Sequence, residues 1–161
     1  MISNELRMSQ RNSIKLEVEL SFNVHATEDE RKIMNSLKKN LDLDESLLSR
    51  TDFEGYYGNP ISKFEVLVRG VAAQKIFETV FKSLESIVME DLLKHIDNHI
   101  DSSKGLYIRI SKERLCEDKF RIQESNAFRF KFRPKTGYLK NAQEFYKNAI
   151  SQCIQKERFK S

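Results

Sequence analysis

Strict alternation of apolar and polar residues marks several segments of this chain as β-strands. Because side chains along a strand point to opposite faces in turn, such a segment has one face for the core and one for another environment. The clearest alternation runs through residues 13–24, where every second residue from Ile14 to Val24 is apolar. The same periodicity predicts further strands over 61–69, 106–112, 119–123 and 127–133.

Apolar residues spaced three and four apart predict helices between these strands. Thr27 and Glu30 have the spacing of a capping box and predict a helix start there, with the helix running to about residue 40. A second helical pattern covers 72–100, and because that is long for a small domain we expect a break near 86–89. A last helix is predicted over 138–158. Residues 41–60 are mixed, with a short helix expected around 45–50 before the turn Gly58-Asn59-Pro60.

This succession of elements predicts an α+β fold. The order is strand, helix, strand, paired helices, three strands and a final helix, which indicates a mostly antiparallel five-stranded sheet with helices packed on one face. The last strand is expected to end at the turn from Pro134 to Gly137. Residues 1–12 are polar and aperiodic and are expected to form a flexible N-terminus, while 13–161 form a single domain.

Positive charge is concentrated on the polar positions of the last three predicted strands. Residues 104–140 contain eleven lysines and arginines against four acids, a local balance of +7, whereas the rest of the chain carries −3. A flat cationic face of this kind suits a polyanion better than a small molecule. The candidate RNA-binding residues are Tyr107, Arg109, Lys112, Lys119, Arg121, Arg129, Lys131, Arg133 and Lys135.

These candidates have different expected roles. The arginines at 109, 121, 129 and 133, together with Lys131, would hold phosphates, and Tyr107 would stack on a base or pack against a sugar. The lysines at 112, 119 and 135 would form the rim of the surface. The alternative for each single cation is an ion pair on a solvated face, with Glu17, Glu19 and Glu65 as the available acids.

Catalytic chemistry is not indicated by any motif. The chain has no phosphate-binding loop, nucleophile elbow or dinucleotide fingerprint, so we predict no catalytic residue and no cofactor. His95 and His99 lie four residues apart on a predicted helix, a spacing that can chelate a metal. They border an apolar stripe, so half-buried spacer histidines are favoured and no metal is expected. A metal-dependent hydrolase that uses both histidines and Asp101 is the enzymatic alternative.

The number of cysteines and the hydropathy of the chain indicate its cellular location. Cys116 and Cys153 are too few and too far apart for a zinc module or a redox pair. No segment approaches the roughly 20 apolar residues that span a bilayer. The sequence therefore predicts a cytoplasmic protein with no membrane partner.

Three segments are distinctive in combination: the turn Tyr57-Gly-Asn-Pro-Ile61, the segment 99–112 and the strand 126–133. Together they resemble an archaeal RNA-binding family described as predicted exosome subunits, and the resemblance covers about residues 13–135. The family is similar in fold to the ribosomal protein that binds 5S RNA. Gly58-Asn59-Pro60, Tyr107, Arg109 and Lys112 match family-typical positions, whereas Ser111, Glu113 and Asn126 depart from the family pattern.

The resemblance implies RNA, structured or single-stranded, as the partner. Together with the charge pattern, it predicts a non-catalytic RNA-binding protein, associated with an RNA-processing complex such as the exosome or with a ribosome-related assembly. The alternative is an assembly protein whose basic face docks on an acidic protein partner or on a second copy to form a homodimer. Salt-dependent RNA affinity would distinguish the first hypothesis from the second.

Overall fold

The computed structural model describes residues 15–135 and 139–158, with the side chains of 156–158 excepted. The expected flexible N-terminus, the start of the first predicted strand and the residues around Gly137 lie outside this part of the chain. The strands are β1 (Leu16–His25), β2 (Ser49–Glu54), β3 (Pro60–Arg69), β4 (Leu106–Ser111) and β5 (Ala127–Pro134). The helices are α1 (Glu30–Leu41), α2 (Val71–Ser83), α3 (Ser86–Lys94), α4 (Lys112–Cys116) and α5 (Ala142–Arg158). Short 3₁₀ turns occupy Glu45–Leu47 and Ile96–His99.

All five strands form one antiparallel sheet in the order β2-β3-β1-β5-β4. The central strand β1 pairs with β3 on one side and β5 on the other, so Leu20 faces Val66 in one direction and Phe130 in the other. The apolar positions of β1 are all buried, as its alternation predicts. The predicted α+β fold with an antiparallel five-stranded sheet is confirmed.

The helices cover the apolar face of the sheet, and within the described residues no helix covers the other face, which we call the open face. Phe77 of α2 meets Phe132 of β5 edge to face, with ring centroids 5.2 Å apart. Tyr146 of α5 is fully buried, and its hydroxyl lies 2.7 Å from the Lys104 carbonyl oxygen and 3.1 Å from that of Phe132. Burial raises the pKa of this phenol, so the hydroxyl stays a hydrogen-bond donor to the backbone.

Two strand assignments differ from the sequence pattern. The segment 119–123 is not a strand: it contributes a single bridge between Ile122 and Ile110 of β4. The pairing cannot extend further because β4 ends at Ser111. The hydroxyl of Ser111 accepts from the Arg114 N–H and caps the short helix α4, so the chain beyond Ser111 is helical. The fifth strand is instead β2, an edge strand whose residues are all exposed. With no buried face, β2 has no alternation by which the sequence could mark it.

The helix boundaries correct two further expectations. Asp29, not Thr27, caps α1, because its side chain accepts from the Lys32 N–H at 3.1 Å. The break expected within the long central helical pattern is present at Leu84 and Glu85, which adopt extended backbone angles between α2 and α3. The α-helix ends at Lys94, whereas the predicted helical pattern runs to residue 100, and a 3₁₀ turn follows at Ile96–His99.

Candidate functional site

The open face of the sheet brings together five of the predicted residues on its last two strands. Arg109 lies directly opposite Arg129, and Tyr107 lies opposite Lys131. Arg133 follows two positions along β5, on the same face. We call these residues of β4 and β5 the cationic face: Tyr107, Arg109, Arg129, Lys131 and Arg133. They adjoin because β4 and β5 are paired, and residues opposite each other in the pairing point their side chains to the same face of the sheet.

Tyr107 supports the cations beside it. The guanidinium carbon of Arg129 lies 4.7 Å from the centroid of its ring, and the Lys131 amine lies 5.2 Å from that centroid. Both distances are typical of cation–π contacts. The Tyr107 hydroxyl also interacts with Lys131 and with the carboxylate of Asp101. One face of the ring that was expected to stack on a base is therefore occupied by Arg129.

Asp101 anchors the outer edge of the cationic face from the loop before β4. Burial by itself would raise the pKa of this carboxyl, but hydrogen bonds from Ser103 Oγ (2.7 Å) and the Gly105 N–H (2.9 Å) hold it well below its usual range. Lys131, 3.4 Å away, adds to this effect. Gly105 makes room for the pair, since a Cβ there would lie 2.6 Å from Lys131 Cε. Lys131 is thus held in place and stays charged, its pKa raised by Tyr107 and Asp101.

Acidic residues neutralise some of the cations on the open face. The Glu17 carboxylate lies between Arg69 of β3 and Arg133 of β5, 3.3 Å from each. On β3, Glu65 pairs with Lys63 at 3.1 Å. Ion pairing, the alternative for each cation, is therefore found for Arg133. Within the described residues it is not found for Arg109 or Arg129, both of which are exposed.

A polar hollow of about 400 Å³ opens at the end of the sheet where these two arginines lie. Lys63 reaches it from β3, while Ser21 and Asn23 line it from β1. The buried Lys112 and one acid, Glu124, also line the hollow, so cationic side chains outnumber acidic ones on this concave surface. Phosphate oxygens are suited to such a set, because arginine can donate two parallel hydrogen bonds to them.

Lys112 lines the hollow from beneath and is not an exposed rim residue, contrary to the sequence prediction. It is only 3% exposed, and its amine donates to the Asn23 carbonyl oxygen and to Glu28 Oε1, the latter at 2.9 Å. It became buried because β4 ends one residue earlier and α4 begins at this position. The buried pair joins the end of β1 to the start of α4, which is a structural role.

Lys119 and Arg121 are also separated from the cationic face. They line a different hollow, with Lys39 and Asn40 of α1 and Thr79 of α2 on the helical side. The Arg121 guanidinium lies 3.8 Å from Glu85 at the start of α3. Because 119–123 is not a regular strand, its alternation does not place these side chains with Arg109. Lys135 is exposed just beyond β5, where its N–H donates to the Lys15 carbonyl oxygen at 2.9 Å.

The two histidines do not share a helix face. Helix α3 ends at Lys94, His95 follows as its cap, and His99 lies in the 3₁₀ turn. Asp101, the third residue of the enzymatic alternative, is engaged with Ser103, Gly105 and Lys131. In residues 15–135 and 139–158, no three His, Cys, Asp or Glu side chains come together as a group able to hold a metal.

Sequence reasoning did not single out two tyrosines as site residues. Tyr56 and Tyr57 form the tip of the β2–β3 hairpin and are 95% and 89% exposed. Their rings meet edge to face, with centroids 5.0 Å apart. The signal was present: two adjacent aromatic residues lie between Gly55 and Gly58 in a turn, where no alternation could bury them.

The fold and the site together define an α+β protein with an open, cationic sheet surface. The family model described as RNA binding matches residues 17–134. An uncharacterized protein of Methanocaldococcus jannaschii is 32% identical over 136 residues, which are 77% of this chain and 88% of that protein. The chain belongs to this RNA-binding family, and the resemblance to an archaeal RNA-binding family is confirmed.

Solved structures of archaeal proteins share the fold. A DUF54 protein from Methanothermobacter thermautotrophicus superposes with a TM-score of 0.70 at 19% identity, covering 86% of this chain and 99% of that one. A DUF54 protein from Sulfolobus solfataricus superposes with a TM-score of 0.66 at 23% identity, covering 84% of this chain and 98% of that one. Separately, no helix in the described part of the chain is long and apolar enough to cross a membrane.

Proposed function

We propose that this protein is a non-catalytic RNA-binding protein whose cationic face holds the RNA backbone. The observation that carries the proposal is the pair Arg109 and Arg129, which are exposed, directly opposite each other, and without an acidic partner among the described residues. Like charges opposite each other on a sheet disfavour the fold slightly. A bound phosphate between the two guanidinium groups would turn that repulsion into attraction.

The neighbours of this pair extend the contact along β5. Lys131 is held beside the arginines by Asp101 and Tyr107, and Arg133 lies two residues further along the strand. A chain of phosphates can follow such a row, with Lys135 at its end. Each phosphate contact releases a counterion, so affinity should fall steeply with salt.

Further parts of the proposal come from the resemblance and the composition. We place the protein in the cytoplasm and associate it with an RNA-processing complex such as the exosome, or with a ribosome-related assembly. The rival, in which the basic face docks on an acidic protein or on a second copy, is an outcome of the following experiment.

The test is a fluorescence-anisotropy titration of labelled RNA with the full chain, from ~50 to ~200 mM salt, a range over which phosphate-dominated binding weakens strongly. The variant Arg109→Ala/Arg129→Ala should lose most of the affinity and flatten the salt dependence. The matched control is Lys75→Ala/Lys94→Ala, which removes the same charge from exposed positions on α2 and α3.

Two results would overturn the proposal. One is the absence of RNA affinity at the low-salt end of the titration. The other is an equal loss of affinity in the control and in the arginine variant, since that would reflect net charge and not a site. Equal binding of RNA, heparin and polyglutamate would favour the docking of acidic partners instead.

A further inference from the structure

The tip of the β2–β3 hairpin presents the two most exposed large apolar side chains among the described residues. Tyr56 and Tyr57 stand outside the core, and their rings contact each other. Removing an aromatic ring from water is favourable, so two rings left almost fully in solvent contribute little to the fold. Exposed aromatic side chains of this kind are enriched where a partner binds.

The backbone that carries the rings is fixed. The Gly55 N–H donates to the Asn59 carbonyl oxygen at 2.7 Å, and the Gly58 N–H donates to the Gly55 carbonyl oxygen at 2.9 Å. Gly58 has a φ of +77°, a left-handed conformation that glycine adopts without strain. The loop is thus closed by its own hydrogen bonds and needs no contact from either tyrosine ring.

The arrangement of the rings leaves room for flat ligands. Their planes are nearly perpendicular, at 86°. In an edge-to-face pair, one ring keeps both of its faces free and the other keeps one. An unpaired nucleobase can stack on such a face whatever its sequence, because every base has a π-face.

The tip lies at the same end of the sheet as the polar hollow. Strand β3 runs from the tip to Lys63, which lines that hollow with Arg109 and Arg129. Lys63 lies four positions after Asn59, roughly 13 Å along the chain at the rise of a strand. Between them, Phe53 and Ile61 pair on the open face, and Phe53 is itself exposed. A continuous path therefore leads from the paired arginines to the tyrosines.

We propose that Tyr56 and Tyr57 stack on unpaired bases of an RNA whose phosphates lie on the cationic face. This inference rests on the proposed function and specifies its substrate class: single-stranded RNA, or a single-stranded segment, in preference to a duplex. Bases within a duplex are already stacked on their neighbours, so their faces are closed to a protein ring. The phosphates, by contrast, are available in both forms.

The experiment compares two RNAs and three variants of the full chain. The RNAs are a labelled single strand of about 12 nucleotides, within the range of single-strand sites, and the same strand annealed to its complement. The variants are Tyr56→Ala/Tyr57→Ala, the matched ring-retaining control Tyr56→Phe/Tyr57→Phe, and Arg109→Ala/Arg129→Ala. Anisotropy gives the affinities, and urea unfolding checks that each variant is folded.

We expect the alanine variant to bind the single strand at least about tenfold more weakly, in line with the loss of one or more stacked bases. Its duplex affinity and its salt dependence should be unchanged, because no phosphate contact is removed. The phenylalanine control should bind like the wild type. The arginine variant should lose affinity for both the single strand and the duplex. Because the chain has five tyrosines and no tryptophan, quenching of tyrosine emission by the single strand provides a second readout.

The outcomes separate this inference from the proposed function. If the wild type binds RNA and the alanine variant binds the single strand equally well, the stacking inference is overturned and the proposed function stands. If the wild type binds neither RNA, both are overturned. If the alanine variant changes the sedimentation of the protein but not its RNA affinity, the tyrosines contact a second copy and the inference is overturned.

Discussion

Arg109 of β4 lies directly opposite Arg129 of β5, so the sheet places two positive side chains at one register position of its open face. The Arg129 guanidinium packs on the Tyr107 ring, whereas Arg109 has no ion pair within the described residues. A directly opposed pair of like charges costs stability. In the proposed function, an RNA phosphate bound at the polar hollow would offset this cost.

Replacing Arg109 by glutamine should therefore have opposite effects on stability and on binding. Relief of the repulsion should raise the free energy of unfolding by about 0.2–1 kcal/mol, the scale of cross-strand pair effects. RNA affinity should fall. Urea unfolding and anisotropy titration measure the two quantities, and Lys75→Gln on α2 serves as a control for net charge. A variant that loses both stability and affinity would contradict the assignment of Arg109 to binding.

Glu17 lies 3.3 Å from both Arg69 and Arg133, so in the proposed function it would compete with RNA phosphates for these two arginines. The variant Glu17→Gln should release both guanidinium groups and raise RNA affinity. If it adds one phosphate contact, the slope of log affinity against log salt should steepen by about 0.7 for a single strand. The matched control is Glu90→Gln at an exposed position on α3, which makes the same charge change away from the sheet. Equal effects of the two variants would mean that only the overall field matters.

The buried pair between Lys112 and Glu28 should appear as an acid-dependent stability term. Burial by itself would raise the pKa of Glu28, but the His25 N–H and the Lys112 amine lower it below the ordinary value of 4.5. The stabilisation from this carboxylate is therefore complete above about pH 4.5 and is lost as the pH falls through the lower folded-state value.

Glu28→Gln tests this directly. At pH 7 the variant should be less stable by about 2 kcal/mol, the scale of hydrogen bonds to charged groups. The difference in unfolding free energy between the two proteins should shrink as the pH is lowered. Asp101 also titrates in acid, but both proteins retain it, so its contribution cancels in this difference. Urea unfolding as a function of pH provides the measurement. A difference that stays constant with pH would show that the stabilisation does not depend on the Glu28 charge.

Tyr146 should be a structural residue and have no part in RNA binding. Its hydroxyl contacts the carbonyl oxygens of Lys104 and Phe132 and so ties α5 to the sheet. Tyr146→Phe keeps the ring but leaves these acceptors without that donor, which should cost about 1–2 kcal/mol of unfolding free energy. At a given concentration of folded protein, the affinity for RNA should not change. Anisotropy titration therefore distinguishes a loss of stability from a loss of the RNA-binding site.

Much of the fold could be predicted from the chain because burial imposes a period. Each apolar position of β1 is buried, and the interruption at Leu84 and Glu85 lies next to the expected break. The failures have one cause: β2 has no buried face, and 119–123 has an alternating pattern but pairs through Ile122 alone. Periodicity reports on burial, and it is silent or misleading where a segment does not pack on the core in a regular way.

By itself, the sequence determined which side chains are cationic, that alternation puts them opposite the core, and that the chain is of an RNA-binding type. The tertiary structure decided which cations adjoin. It aligned Arg109 with Arg129, turned Arg121 toward Glu85 and buried Lys112 against Glu28. It also raised Tyr56 and Tyr57 on the tip of a closed hairpin. Register and chain reversal join residues that are far apart in sequence, and a local pattern carries no information about that pairing.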